Sequence, residues 1–266
     1  MILPDTLLYI YEIRGDLMAS ISNPPSSFVG LWNEDEFMYL FFTTPEDEYV
    51  TSQVCSRTAI LSSRHEILYK DWQSDVPPEG IRAGGVHFVR WDHPSSPPGT
   101  IRLDPSVVFG DGSHPTTIAC LSAIERVFRS QRIRSMLDLG TGSGILALAA
   151  ACLGINRVVA VDKNRLAVQT ARANVTKNML SSEIQVAEGE ARIFIDKPFD
   201  LVTANLPFRV LRDLVISKHA GLHKNWIVSG INQQQADVLK ELLDDQGYSL
   251  DHCSVNPPWE TFVMVK

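Results

Sequence analysis

From Ser135 to the end of the chain, short apolar runs alternate with segments whose apolar residues recur at helical spacing. The runs near residues 135–139, 157–162, 183–187, 199–204 and 226–230 predict strands. Between them, Leu166, Ala167, Thr170, Ala171 and Val175 mark one face of a helix near 165–178, and a further helix is expected near 233–246. Two strand-like runs close the chain, Ser249 to Val255 and Trp259 to Val265, joined by Asn256-Pro257-Pro258. A join this short makes the two runs antiparallel partners. The pattern is α/β, a seven-stranded, mostly parallel sheet that ends in an antiparallel hairpin.

The preceding residues carry a different pattern. Runs such as Leu7-Leu8-Tyr9-Ile10-Tyr11 and Phe37-Met38-Tyr39-Leu40-Phe41-Phe42 are interrupted by turn-rich stretches, among them Ser22-Asn23-Pro24-Pro25-Ser26-Ser27. Residues 1–91 are expected to form a small α+β domain for substrate recognition, residues 92–105 a linker, and residues 106–266 the larger domain. The linker assignment rests on Asp92-His93-Pro94-Ser95-Ser96-Pro97-Pro98-Gly99.

Charge sharpens this division. The net charge of −7 sits in the first segment, since residues 1–105 hold 7 Lys+Arg against 15 Asp+Glu and the remainder 17 against 16. Runs such as Glu34-Asp35-Glu36 and Glu46-Asp47-Glu48 oppose a nucleic-acid backbone and suit a basic protein, or else form an ordinary solvated face. The start, Met1-Ile2-Leu3-Pro4-Asp5, lacks the basic and apolar regions of a secretory signal, and no apolar run has membrane-spanning length, so the expectation is a cytoplasmic protein without membrane contact. Cys55, Cys120, Cys152 and Cys253 are widely separated, which suggests neither a metal site nor a disulfide framework.

The chemistry is concentrated around Asp138-Leu139-Gly140-Thr141-Gly142-Ser143-Gly144, which follows the first of the regular strands, and Asp162, which closes the second. Gly140, Gly142 and Gly144 let the backbone approach a ligand closely. The dinucleotide fingerprint places its third glycine one position later, and a carboxylate at Asp138 would repel a pyrophosphate. Asp138 suits instead the ammonium group of a methionine moiety, and Asp162 the two hydroxyls of a ribose. S-adenosylmethionine satisfies both acids.

Methyl transfer from a sulfonium needs no metal and no covalent nucleophile, only positioning and deprotonation of the acceptor. The fourth strand ends in Asn205-Leu206-Pro207-Phe208, beside the position of the methyl group in this architecture. Asn205 and the Leu206 carbonyl can accept hydrogen bonds from an amine, Pro207 stiffens the turn, and Phe208 offers a ring face. The structural alternative is a plain strand-to-helix junction with Asn205 as cap. Asn256-Pro257-Pro258-Trp259 has a similar composition but falls between the last two strands, where it is expected to be a hairpin turn away from the cofactor edge. Upstream, Phe109-Gly110-Asp111-Gly112-Ser113-His114-Pro115-Thr116-Thr117 leads into a helix carrying Ile118, Leu121, Ile124 and Val127. Asp111 and His114 there read as local hydrogen-bond partners.

The run F-G-D-G-S-H-P-T-T followed by D-L-G-T-G-S-G-I-L-A resembles the bacterial methyltransferases of ribosomal protein L11, whose family carries F-G-T-G-T-H-P-T-T and D-x-G-C-G-S-G-I-L. The similarity covers roughly residues 100–266, with an echo near Tyr69-Lys70-Asp71-Trp72. The resemblance implies a class I, Rossmann-like methyltransferase fold and S-adenosylmethionine bound through Thr117, Gly140, Asp162 and Asn205, with Phe109 and Gly110 over the methionine part. It also implies methylation of lysine side chains and an N-terminal amine on a basic ribosomal protein. The chain departs from the family at Asp111 in place of threonine, at Thr141 in place of cysteine, and at Asn205-Leu206-Pro207-Phe208 in place of N-I-L. The last resembles the adenine dimethylases of ribosomal RNA. An RNA methyltransferase acting on an exocyclic base amine is therefore one alternative, and a diverged, non-catalytic cofactor-binding protein another.

Overall fold

The computed structural model describes residues 2–3, 5–15, 21, 23–34, 37–55, 59–72, 77, 79–94 and 99–266. Of the stretches singled out above, Met1, Pro4, Ser22, Asp35, Glu36 and residues 95–98 lie outside the described residues. By internal contacts the chain divides into Met1–Asp75 with Ser106–Val108, and Val76–Pro105 with Phe109–Lys266.

The smaller unit holds β1 (Leu7–Arg14), β2 (Phe28–Glu34), β3 (Phe37–Phe42), α1 (Asp47–Cys55), β4 (Ile60–Leu68) and the short α2 (Tyr69–Trp72). Its strands form one antiparallel sheet in the order β2-β3-β1-β4. Alternate residues of the apolar runs, Tyr11 and Ile13 on β1 and Met38, Leu40 and Phe42 on β3, bury on one face and take up Val50 of α1. The acids of the Glu46-Asp47-Glu48 run are partly engaged within this unit. Glu46 accepts from the hydroxyls of Ser27 and Thr44, and Asp47 pairs with Arg64 at 3.0 Å.

The larger unit begins with a three-stranded sheet of β5 (Ile81–Ala83), β6 (Val86–Arg90) and β7 (Thr100–Leu103). This differs from the expected division in two places. Residues 76–91 belong to the larger unit, and β7 lies inside the stretch read as a linker. Ile101 and Leu103 of β7 are buried in the same core as Val86 and Phe88 of β6, so this segment is packed structure.

The chain then runs through α3 (Pro115–Ser130), β8 (Ser135–Leu139), α4 (Ile145–Leu153), β9 (Arg157–Asp162), α5 (Arg165–Lys177), β10 (Ile184–Glu188), α6 (Ala191–Phe194), β11 (Leu201–Asn205), α7 (Phe208–Val215), β12 (Asn225–Ile231), α8 (Gln233–Asp244), β13 (Ser249–Asn256) and β14 (Trp259–Val265). The strands from β8 onward form one sheet in the order β10-β9-β8-β11-β12-β14-β13. All neighbours from β10 to β12 are parallel, and β14 and β13 close the sheet antiparallel. The seven-stranded sheet with its terminal hairpin is as expected. Successive residues of each strand face opposite layers. Met136, Val158, Leu201 and Ile227 join Leu121, Leu148 and Val175 in one core, while Leu137, Val161, Val202 and Val228 join Leu211, Leu214 and Leu239 in the other. Burial on both faces explains why these strands read as continuous apolar runs.

In this order the chain reverses direction between β8 and β11, so a crevice opens beyond their carboxyl ends. Gly140 follows β8 and Asn205 ends β11. The pairing of Ile231 on β12 with Glu260 on β14 carries the β13–β14 turn to the same edge. The Asn256–Trp259 segment is therefore a hairpin turn, as its composition indicated, but its position is corrected: it stands at the carboxyl edge of the parallel strands.

β7 is an edge strand whose outer peptide groups face α5. Two asparagines one helical turn apart satisfy them. Asn178 accepts from Arg102 N–H at 2.9 Å and donates to its carbonyl at 2.8 Å. Asn174, fully buried, does the same for Asp104 at 3.0 and 2.8 Å, and donates a further bond to the Ser143 carbonyl at 2.9 Å. The amides act as a substitute strand, since each offers one donor and one acceptor to residues two apart. Asn174→Ala would leave buried peptide groups of Asp104 and Ser143 unpaired, and a loss of about 2–4 kcal/mol in urea unfolding is expected. A loss below about 0.5 kcal/mol would show that water or a backbone shift replaces the clasp.

Candidate active site

The loop after β8 is built from glycines because three of its residues have left-handed backbone angles and each of them lies against another segment. Gly140, Gly142 and Gly144 have φ of +75°, +56° and +88°. A Cβ on Gly142 would stand 2.4 Å from the Phe109 carbonyl oxygen, and one on Gly140 would stand 2.3 Å from Leu206 Cδ2. The first of these contacts is with backbone, so no side-chain rotation relieves it. The loop is held in place by Gly140 and Thr141 N–H, both donating to the Val161 carbonyl at 2.8 and 2.9 Å.

Asp138 lies behind this loop with no exposed surface. Its two carboxylate oxygens accept from the hydroxyls of Thr141 at 2.6 Å and Thr203 at 2.7 Å, so it ties β8 to its own loop and to β11. Burial pushes its carboxyl up to about 6, against the pull of the two hydroxyl bonds. This geometry makes Asp138 a brace beneath the loop, whereas Asp162 stands at the edge. Asp162 Oδ2 accepts from Gly142 N–H at 3.0 Å and Oδ1 from Asn164 N–H at 2.9 Å. Burial raises its carboxyl as well, opposed by those N–H bonds. The Lys163 N–H adds to these, and the two oxygens together still keep lone-pair capacity.

The Phe109–Thr117 segment is tied to the loop from the other side. Ser143 N–H donates to the Phe109 carbonyl at 3.0 Å, and Ser143 Oγ donates to the Gly110 carbonyl at 2.5 Å. The Phe109 ring, 43% exposed, lies edge-on to His114 at 5.3 Å between centroids. Asp111 accepts from Ser113 N–H and Oγ at 2.9 and 2.8 Å, closing a local turn. His114 is the cap of α3. Its Nδ1 accepts from Thr116 N–H at 3.3 Å and is 2.7 Å from the Thr116 hydroxyl. Asp111 and His114 thus bond Ser113 and Thr116 respectively.

At the end of β11, Asn205 Nδ2 donates to Thr116 Oγ1 at 3.1 Å. Pro207, not Asn205, occupies the cap position of α7, so the amide of Asn205 is not spent on capping. Leu206 N–H donates to the Ser229 carbonyl at 3.2 Å, and Gly230, with φ of +86°, leaves room for Asn205 Oδ1 and the Leu206 carbonyl. Phe208 is partly buried against the core under α7. Trp259 reaches the site from the hairpin turn, 5.5 Å from His114 between ring centroids. The structure therefore gathers Phe109, Gly110, Gly140, Gly142, Asp162, Asn205 and Leu206 about one edge, with Asp138 behind it. Thr117 lies on the first turn of α3 with its side chain buried, and Gly144 lies against Ala171 at the start of α4. Thr116 and Trp259 were missed by sequence reasoning. The histidine two residues before Thr116, in a capping position, is the only local signal for the former.

Residues 52–266 match the family model described as ribosomal protein L11 methyltransferase, PrmA. The chain belongs to this family. Named ribosomal protein L11 methyltransferases resemble it at 32% identity over 196 residues in Heliobacterium modesticaldum, covering 72% of this chain and 61% of that protein. The protein of that name in Geobacillus thermodenitrificans is 34% identical over 172 residues, covering 62% of this chain and 53% of the relative. Matches thus reach little more than half the length of the curated relatives. Among solved structures, the ribosomal protein L11 methylase of Lactobacillus delbrueckii subsp. bulgaricus superposes with a TM-score of 0.60 at 28% identity, over 68% of this chain and 94% of that one. A class I methyltransferase fold is therefore shared with this family.

Two outcomes test the family member's loop. Gly142→Ala is expected to destabilise the fold and to abolish ligand binding at the loop, read by thermal melting and cofactor titration. An intact melting temperature with normal binding would show that Phe109 yields freely. For Asp138, the folded carboxyl titrates above the unfolded one, so the folded state holds the extra proton between the two values. The cost of the buried charge is complete above pH 6 and is relieved as pH falls toward the ordinary aspartate range. Asp138→Asn minus wild type is accordingly expected to be more favourable at pH 8 than at pH 5 by about 1–2 kcal/mol in urea unfolding. Equal differences at the two pH values would refute this.

Proposed function

We propose that this chain transfers methyl groups from S-adenosylmethionine to amines on a protein, lysine side chains or an N-terminal amine. The reading is supported by membership of the ribosomal protein L11 methyltransferase family over residues 52–266. The observation that carries the chemistry is the setting of Asn205. Its NH2 is committed to Thr116, so its carbonyl oxygen is the group left for an incoming amine.

The residues present fit this cofactor. Gly140 and Gly142 form a cradle that a Cβ would fill, and Asp162 offers acceptor capacity suited to vicinal hydroxyls. Phe109 presents an exposed ring beside the same loop, and Thr117 lies on the helix turn behind it. When bound, the cofactor supplies an activated methyl on a positively charged sulfur. Asn205 Oδ1 and the Leu206 carbonyl then accept the hydrogens of the amine and aim its lone pair. A lysine must lose its proton first, and two neutral acceptors stabilise its ammonium form less than a carboxylate would, so the proton is more easily lost there. Pro207 holds the turn rigid, and the ring of Trp259 narrows the edge opposite Phe109. The acidic smaller unit supports a basic protein as partner.

The experiment is incubation with labelled S-adenosylmethionine and, separately, ribosomal protein L11 and total RNA. Label on the protein is expected, and its position by mass spectrometry identifies the amines. Label confined to ribonuclease-sensitive material would move the assignment to RNA. Asn205→Ala is expected to lower kcat by about 10–100-fold with the cofactor still bound. Full turnover in that variant would remove Asn205 from the acceptor site.

A further inference from the structure

A primary amide has two orientations of almost the same shape, and only one of them presents an oxygen to the substrate. What selects that orientation at Asn205 is therefore part of the chemistry. The polarity of the contacts can be worked out from one backbone group. Thr116 N–H donates to His114 Nδ1. A peptide N–H has no other role, so Nδ1 carries a lone pair and the proton of the neutral ring sits on Nε2. The Thr116 hydroxyl, 2.7 Å from the same nitrogen, must then donate to it as well. Its oxygen is left to accept, and what it accepts is the Asn205 NH2 at 3.1 Å. The chain of donors runs one way, from amide to hydroxyl to imidazole.

The members are fixed on every side. Thr116 is 2% exposed. The His114 ring stands edge-on between Phe109 and Trp259. At the far end, Gly230 leaves a pocket whose absent Cβ would stand 2.8 Å from Asn205 Oδ1. We propose that His114 and Thr116 are positioning residues that lock the Asn205 amide with its oxygen toward the acceptor amine, an assignment that rests on the methyl-transfer reading above. Neither residue touches the substrate in this role.

Protonation of His114 loosens the lock, because the Thr116 hydroxyl hydrogen is no longer held by Nδ1 and can turn toward the Asn205 amide. An imidazolium donates from Nδ1, so the Thr116 N–H loses its acceptor and the hydroxyl must turn. The charged groups on the elements packed about the ring are few. Asp111, in the same loop, accepts from Ser113; Glu260, next to Trp259 on β14, pairs with Lys240 at 2.5 Å; and Asp138 on β8, beside β11, is taken up by Thr141 and Thr203. Asp111 favours the charged ring and burial opposes it, with burial the larger, so His114 is held below the ordinary histidine value. The lock is closed above that value and opens as pH falls through the lowered one.

The test compares Thr116→Val, Thr116→Ser and His114→Asn, the last keeping a side chain able to cap α3. Thr116→Val is expected to lower kcat about 10–100-fold with unchanged cofactor affinity, while Thr116→Ser retains turnover. Wild type is expected to show a further loss of kcat below the ordinary histidine range, added to the loss that protonation of the acceptor amine causes in every variant, and Thr116→Val and His114→Asn to lack the added loss. Independently of turnover, nitrogen NMR of the unliganded protein is expected to show the imidazole proton on Nε2 with a hydrogen-bonded Nδ1, and in Thr116→Val the Nδ1 signal moves. A Thr116→Val enzyme with wild-type kcat and acid limb overturns the proposal, as does a neutral imidazole protonated on Nδ1. If wild type labels neither protein nor RNA, the functional reading fails, and the NMR result still decides whether the lock exists.

Discussion

A carboxylate without a cation organises the centre of this molecule. Asp138 lies near the end of β8, an interior strand of the seven-stranded sheet, fully buried, and divides its two oxygens between Thr141 on its own loop and Thr203 on the neighbouring β11. The arrangement is costly as folding thermodynamics, because the charge is only partly repaid by two hydroxyls. What it secures is position: the loop after β8 and the end of β11 are held to one atom group, and the crevice between them keeps its width. Gly140, Gly142, Asp162 and Asn205 all take their places from that brace or from the segments it ties.

The second shared constraint is close approach. The Phe109 carbonyl lies against Gly142, and Leu206 lies against Gly140, so the segment before α3 and the turn after β11 both pack on the glycine loop. Three stretches separated by many residues thereby meet, backbone against backbone at Phe109 and through the Leu206 side chain at Gly140. This explains how a turn rich in small residues, Phe109 to Thr117, and an asparagine at a strand end become parts of one surface.

Much of this is legible in the sequence. Strands buried on both faces produce continuous apolar runs, so β8 to β12 and the closing hairpin stood out, and Asn205 followed once the glycine loop had been located. Asp138 was legible as an acid but not as a brace, because its partner Thr203 is 65 residues away and an isolated threonine in a strand carries no signal. The place of Trp259 was misjudged for a different reason: a hairpin turn is a local property, but the edge it reaches depends on pairing with β12. Thr116 was passed over because its role depends on a contact 89 residues distant. The stretch read as a linker contains β7, four residues long, which pairs with β6 on one edge and on its other edge with the side chains of Asn174 on α5 and Asn178 at its end. Periodicity has no access to such a clasp, since asparagines on a helix face look like ordinary polar positions.

That clasp has a mechanical side. A single amide, Asn174, holds the backbone of Asp104 and the backbone of Ser143 at once. The glycine loop and the three-stranded sheet are consequently geared together through one side chain. The link between the loop and β7 is thus made of directional hydrogen bonds, which fix the separation of the two segments more sharply than apolar contact alone.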